Sequence, residues 1–523
     1  MTSPAVVRPP AGILAPQEII DVALAASGAD DCVVVVESTS EANVRWANNT
    51  VTTNGVSRTL SWYVVCIVDG AAGTVSASAA AADSASAVAE VVQAAHQVAR
   101  AAARSGRARD AQPLVGPENV GTVGAASPGG GFDGGGFDGA AFLGGGFDGG
   151  GFDGGGFLGG GFDGGGFPGG GFEAAPVSTS FEVYADLLPS LGAAFEEARA
   201  GGRVLYGFAR HETTTIHLGS STGVRLRWVQ PTGTLELNAK SADLRRSSWG
   251  GLSTPDFRGV TVDDLVASLT RRLEWARRTA ELPAGRYDTV LPPTAVADFM
   301  INLAWSAAAR PAHEGRSAFS APGGGTRVGE RLTGQALTLA GDPSSAGLQC
   351  APFVAAGHSS DEVSVFDNGA PIPRVEIVAD GVINSLLHSR GSAAEYGEPF
   401  TPAADNLLLT GGDPALSTED LVTGIRRGLL LTSQWYLREV DPMTMLLTGL
   451  TRDGVFLIEN GEITAAVNNF RFNMSPLDVL RHAVTVGATV PALSREWSDW
   501  FTRSAMPPMV VEGFNMSSVS PAQ

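Results

Sequence analysis

The chain has 523 residues, with 35 Lys+Arg against 54 Asp+Glu and a formal net charge of -19. Such a length suits two or three domains, and 44% hydrophobic with 17% charged residues is the composition of a globular protein able to bury sizeable cores, which excludes wholesale disorder. Lys240 is its one lysine, and phosphate neutralisation needs clustered cations, so the sequence argues against direct nucleic-acid binding; a polynucleotide would have to be reached through another protein.

The opening MTSPAVVRPPAGILAPQEII has no unbroken apolar core of signal-peptide length, and no stretch reaches the roughly 18–20 apolar residues of a membrane span. Cys32, Cys66 and Cys350 are odd in number and form no CxxC pair or disulfide framework. The expectation is a soluble cytoplasmic protein with no membrane partner.

In chain order, Gln17–Ala26 is predicted as a helix, and Cys32–Glu37, Asn43–Thr53, Arg58–Asp69 and Gly73–Ala79 as strands. Asp83 is the expected cap of a long helix with Val88, Val91, Val92, Ala95 and Ala99 on one face. Together these make an N-terminal α+β domain over 1–126, an antiparallel sheet with flanking helices. Segment 127–175 is compositionally separate. From Gly129 it repeats GGGFD, GGGFL or GGGFP, with phenylalanine at 132, 137, 142, 147, 152, 157, 162, 167 and 172. The five-residue period matches a pentapeptide β-helix in spacing, but three glycines per repeat cost maximal backbone entropy and fill no corner. The tract reads as a flexible linker or insertion, with a weak Phe-Gly interaction segment as the alternative.

Residues 176–282 are expected to complete the N-terminal half: helix over Phe181–Ala200, strands over Arg203–Leu218 and Gly223–Leu237, then a helix capped at Thr261 with Leu265, Leu269, Leu273 and Ala276 inward. Pro283-Ala284-Gly285 marks a boundary, after which 283–523 is predicted as a C-terminal β-rich domain with a few supporting helices. Those are one at about 295–309 and one capped at Ser417 carrying Leu421, Ile425 and Leu429. Asp380-Gly381 and Asn460-Gly461 each separate two apolar runs and predict type I′ hairpins.

Chemistry-bearing motifs are sparse. His211 and His217 flank a threonine-rich run whose spacing is wrong for the helical HExxH zinc motif. On a strand they share a face but stand roughly 20 Å apart, which suits a solvated or cross-strand-paired face rather than one metal. His313-Glu314 has no second histidine within five residues and is flanked by Arg310 and Arg316, so it reads as a surface loop. Cys350 and His358 lack a third orienting group for a nucleophile pair, and Cys32 and Cys66 lie in apolar runs as small core residues. There is no GxSxG, and Gly323–Gly325 and Gly411-Gly412 lack a phosphate-loop context. The residues alone yield no catalytic, cofactor-binding or metal site.

Several strings together resemble the TldD/PmbA family, known as modulators of DNA gyrase and as metallopeptidases, and more closely its TldE (PmbA) branch. They are NVRWANNTVTTNGVSRTLSWYVVCIVDGAAGTVSAS, LPAGRYDTVLPPTAVADFM (282–300), VSVFDNGAPIPRVEIVADGVINSLLHSRGSAAEYG (363–397) and TGLTRDGVFLIENGEITAAV (448–467). Catalytic members carry an HExxxH helix after the LPP-type strand and a downstream cysteine. Here that helix runs from Phe299 through Asn302, Trp305 and Ser306 to Ala308 without His, Glu or Cys; GRSAF (315–319) is similar to a TldE-branch string, and TGLTRDG offers no cysteine. The resemblance therefore implies the non-catalytic subunit of a heterodimeric metalloprotease acting on unfolded or modified peptides. It binds no metal or cofactor itself, while a TldD-like paralogue supplies zinc. The alternatives are a regulatory binding protein without a proteolytic role and an independently active peptidase.

Overall fold

The computed structural model describes residues 12–120 and 171–521. The Gly-Phe tract up to position 170 lies outside the described residues, so its reading as a linker is not met by a structural observation.

The N-terminal half comprises α1 (Pro16–Ala26), β1 (Asp31–Ala47), β2 (Thr50–Val68), β3 (Ala71–Ser78), α2 (Ala85–Ala103), α3 (Leu187–Ala200), β4 (Arg203–Ser220), β5 (Arg225–Ser241), β6 (Ser247–Thr254) and α4 (Asp263–Trp275). Its strands form one antiparallel sheet in the order β3-β2-β1-β4-β5-β6. The β1–β4 pairing, running from Val33↔Ser220 to Trp46↔Gly207, unites the sequence on either side of the tract.

Four expected strands before the tract are three. Asn48 and Asn49 take φ of 53° and 58°, turning the run expected to be one strand into a two-residue hairpin. Asparagine tolerates this left-handed region better than other non-glycine residues, and it matches the turn to the strand twist. The continuous apolar run of β1 is explained by cover on both sides. Cys32, Val34 and Val36 pack beneath α1 and α2, while Val33 and Val35 face Phe353 and Phe366.

Helix starts differ by a residue or two from expectation. Ser84 rather than Asp83 caps α2, its Oγ accepting from the Ala87 N–H at 3.3 Å. A short 3-10 turn, Phe181–Tyr184, precedes α3, so the predicted continuous helix is interrupted. Helix α4 begins at Asp263 without a side-chain cap and buries Leu265, Val266, Leu269 and Leu273; Ala276 lies just beyond it.

The second half comprises β7 (Thr279–Ala280), β8 (Gly285–Leu291), α5 (Pro293–Trp305), α6 (Ala309–His313), β9 (Thr338–Gly341), β10 (Val375–Ala379), β11 (Val382–Ile383), α7 (Arg390–Tyr396), β12 (Leu407–Thr410) and α8 (Thr418–Thr423). It continues through β13 (Arg427–Leu431), β14 (Gln434–Asp441), β15 (Leu446–Thr451), β16 (Val455–Glu459), β17 (Glu462–Val467), β18 (Phe470–Met474), α9 (Pro476–Arg481), β19 (Ala483–Val486), β20 (Val490–Pro491), β21 (Ser504–Met506), β22 (Met509–Met516) and β23 (Ser518–Val519). These strands make sheets ordered β19-β22-β8-β13-β16-β17-β7, β11-β10-β9-β12-β21-β20 and β14-β15-β18-β23, with α5 buried in the core between them. The architecture is α+β.

Both predicted hairpins form, with φ of 47° and 77° at Asp380-Gly381 and 52° and 81° at Asn460-Gly461. Ser417 caps α8 through a capping box with Asp420, but the helix ends at Thr423. Ile425 lies beyond it and Leu429 belongs to β13, whose Leu429–Leu431 are buried. Leucine spacing compatible with a helix was there the start of a central strand.

Helix α2 crosses β3 closely at Gly73, where an added Cβ would lie 2.1 Å from the Ala99 nitrogen and 2.6 Å from the Ala95 oxygen. Neither backbone atom can rotate away. We therefore expect Gly73→Ala to destabilise the protein by about 1–3 kcal/mol in chemical denaturation; an unchanged midpoint would show that α2 can retreat.

Candidate functional site

Helix α5, the position at which the resemblance places the metal motif, follows β8 directly and starts with Pro293 at its first position, where proline costs no hydrogen bond. Ala295, Val296, Ala297, Phe299, Met300, Ile301 and Leu303 are all fully buried. Among them sits one fully buried acid, Asp298. Its Oδ1 accepts from Ser494 Oγ at 2.5 Å and from the Glu496 N–H at 3.0 Å, and its backbone carbonyl accepts from Trp497 Nε1 at 2.9 Å. Its Oδ2, and Asn302 Oδ1 one turn later, have no partner. Burial pushes the Asp298 carboxyl up to about 7, against opposing stabilisation by Ser494 and the Glu496 N–H.

Zinc, the metal implied by the family, does not fit this helix. Protein zinc sites use three or four donors drawn from thiolate, imidazole and carboxylate. Here one carboxyl, already engaged through one oxygen, and one amide oxygen stand in an apolar shell. Among the described residues no group of three or more His, Cys, Asp or Glu side chains converges in a way that could hold a metal ion.

The TGLTRDG string forms β15 and the turn after it. Asp453, at φ 54°, receives Arg495 at 2.6 Å, Arg452 at 3.5 Å and the Ser247 hydroxyl from β6. Arg495 lies over both Trp249 and Trp435, each 5.2 Å to the ring centroid, and Ser498 donates to Glu236 at 2.8 Å. This segment is a polar clasp between the first sheet and the second half of the chain.

A second place was invisible in the sequence. His313 closes α6 and stacks on Tyr396 of α7, with ring centroids 3.9 Å apart and planes within 5°. His388 lies 5.9 Å from His313. The parallel bridge Ala308↔Leu387 brings the two segments together. Both histidines line a cavity of about 320 Å³ with Arg374, Glu376, Glu398 and Thr401. His388 Nδ1 is 3.2 Å from Ser392 Oγ, which itself donates to the Ser389 carbonyl. Burial, with His313 and Arg310 adding repulsion, lowers His388 to about 4, so its imidazole is neutral at physiological pH. Beside it, Arg109 spans Glu314 at 2.5 Å and Glu395 at 2.6 Å, tying the first domain's Ala108–Asp110 stretch to α6 and α7. The expected surface loop at His313-Glu314 is instead a helix end within this network. The cleft holds neutral imidazole, guanidinium and carboxylates.

The other candidates separate cleanly. His211 and His217 do share a face of β4, but that face is buried rather than solvated. His211 bonds Thr179 Oγ1 at 2.7 Å and the Pro255 carbonyl at 2.9 Å, while His217 meets Gln17 at 3.2 Å and the ring of Phe172 at 5.7 Å. Burial lowers both, His217 to about 4. They serve to seat the chain leaving the tract. Cys350 is fully buried and pushed up to about 12 by desolvation, whereas His358 is exposed, so the two form no couple. Gly411 and Gly412 permit close backbone packing: an added Cβ would meet Ala336 O and Gly487 O, each at 2.0 Å.

A raised carboxyl means that folding takes up a proton between the unfolded value near 3.9 and about 7. The stabilisation from Asp298 is therefore fully present at low pH and lost as pH rises through 7. Between pH 5 and pH 8 wild type should lose about 2–3 kcal/mol of stability relative to Asp298→Asn. Parallel pH profiles of the two proteins would contradict the assignment.

Residues 284–518 match the family described as PmbA/TldA metallopeptidase C-terminal domain, and residues 32–99 match PmbA/TldA metallopeptidase domain 1. No curated protein matches the chain in sequence. Among solved structures it is similar to TldE from Thermococcus kodakarensis, with TM-score 0.70 and 14% identity over 95% of this chain and 99% of that one. A Thermotoga maritima protein described as a modulator of a DNA gyrase gives 0.68 and 15% over 95% and 99%. A Bacteroides thetaiotaomicron protein described as a modulator of DNA gyrase gives 0.65 and 15% over 96% and 98%. With two domains of one family matched in order along a shared fold, the chain belongs to the TldD/PmbA family.

Proposed function

We propose that this chain is a TldE/PmbA-type subunit of a two-subunit metalloprotease that degrades or processes unfolded or modified peptides, with zinc supplied by a TldD-like partner. The observation that carries the reading is α5. A metallopeptidase-family scaffold surrounds a helix whose polar side chains beyond its first turn are Asp298 and Asn302, in an otherwise apolar setting. The same helix is an integral part of the core, so its ligand-free sequence is compatible with folding without metal. The fold likeness to TldE supports the same assignment, and the Asp453 turn gives the place of the expected cysteine a structural task.

The reading predicts less than about 0.1 zinc per purified, untagged chain, since no set of three or four donors converges among the described residues. It also predicts peptide cleavage only after mixing with a paralogue that carries HExxxH, and loss of cleavage when that motif's glutamate is replaced by glutamine. Elemental analysis and a fluorescent unfolded-peptide assay decide it. Activity from this chain alone would make it an independent peptidase, and no activity in any mixture would favour a regulatory binding protein.

A further inference from the structure

The first sheet has one long unguarded edge. Strand β2 pairs with β1 from Thr50 to Ile67 with one bulge at Thr52, but β3 covers only Ser61–Val68. From Thr50 to Leu60 the outer side of β2 has no main-chain partner among the described residues. Both faces of this stretch are also open: its residues are exposed except Gly55 and Leu60, which are half-buried, and Val51 and Val56 are 41% and 47% exposed.

Several of the other edges are blunted. On β14 the Glu496 carboxylate accepts from the N–H groups of Tyr436 and Leu437. On β6 Arg272 caps the Trp249 carbonyl at 2.9 Å and Leu493 lies against Gly251. On β19 the carbonyls of Val484 and Val486 receive Gln335 Nε2 and the Asp413 N–H. Strands β7, β11, β20 and β23 are two residues long, while β3, with α2 on its face, is a second open edge of eight residues. By contrast, Thr50–Leu60 reads TVTTNGVSRTL, rich in β-formers, with Arg58 as its single charge and no lysine or proline to repel an incoming strand.

We propose that the outer edge of β2, Thr50–Leu60, is the docking strand for an extended polypeptide, which adds to the sheet through main-chain hydrogen bonds. The proposal rests on the peptide-handling reading above and names the strand that holds the peptide. At about 3.3 Å per residue the edge offers roughly 36 Å of alternating donors and acceptors. Its threonine, serine, asparagine and glycine side chains give little to discriminate by sequence, which suits a ligand recognised by its backbone. They also supply little apolar area. Permanent dimers bury about 2,000 Å² or more of largely apolar surface, so this edge suits a transient strand better than a second copy of the chain.

The test is hydrogen exchange on the full-length chain with an unstructured probe peptide of about twelve Ala, Ser, Gln and Lys residues, against the same peptide N-methylated at alternate positions. We expect the plain peptide to slow amide exchange within Thr50–Leu60 and to bind at least tenfold more tightly than its N-methylated form. Equal affinity of the two peptides, protection elsewhere, or no binding of the plain peptide would overturn the proposal. Protection of Thr50–Leu60 that appears without peptide and grows with protein concentration would assign the edge to a second copy and overturn it too. Because neither partner nor metal enters the measurement, its failure leaves the subunit reading standing; intact peptide protection without cleavage in the reconstituted pair would remove that reading alone.

Discussion

The pairing of β1 with β4 is the constraint on which the rest of the structure depends. It joins Val33–Trp46 to Gly207–Ser220 and so makes one sheet from sequence lying on both sides of the Gly-Phe tract. Closing so long an intervening stretch costs only logarithmically with length, about 0.6 kcal/mol per doubling. The register is fixed by burial instead. A one-residue slip would exchange Val34 and Val36, packed under the helices, with Val33 and Val35, packed against Phe353 and Phe366. Since both sides of β1 are apolar, cross-strand fit rather than simple polarity selects between registers. The buried His211 and His217 on β4 add hydrogen bonds to Thr179, Pro255 and Gln17 that a slipped strand would lose.

From that sheet the second half is positioned by a few polar clasps. Arg495 joins Asp453 and lies over Trp249 and Trp435, and Asp453 also receives Ser247. At a separate place Arg109 holds Glu314 and Glu395, fixing α6 and α7 and hence the His313–Tyr396 stack. The two differ in character. Arg495 and Asp453 are both more than nine-tenths buried, so removing one would strand the other; Arg109 is half-exposed, and its ion pairs are weakened by solvent.

What the sequence made legible was local. The helix α1, the inward faces of α2 and α4 and the Asp-Gly and Asn-Gly turns follow from periodicity and backbone preference. The Asn48-Asn49 turn did not, because no glycine marks it and the flanking residues favour a continuous strand. Nor did the end of α8, where the spacing of Leu421, Ile425 and Leu429 continues into β13. The cleft was beyond reach for a different reason. His313 and His388 are distant in sequence and meet only through the Ala308↔Leu387 bridge, and no spacing rule encodes a tertiary contact of that kind. Its one signal was that His388 and Tyr396 both fall within the string HSRGSAAEYG that resembles the family.

The chemistry of α5 and the exposure of β2 lead to one consequence. Helix α5 is mostly packed into the core, and Asp298 ties it to Ser494, Glu496 and Trp497. Burial raises that carboxyl to about 7 and so makes the stability of this core depend on pH. At the sheet edge the opposite holds: Thr50–Leu60 leaves main-chain groups exposed, whereas the edges of β14 and β6 receive side-chain caps. Since water satisfies those groups in the free chain, strand addition exchanges one set of hydrogen bonds for another and nets only about 0.5–1.5 kcal/mol for each. On the proposed docking role, an edge of this length holds a peptide reversibly.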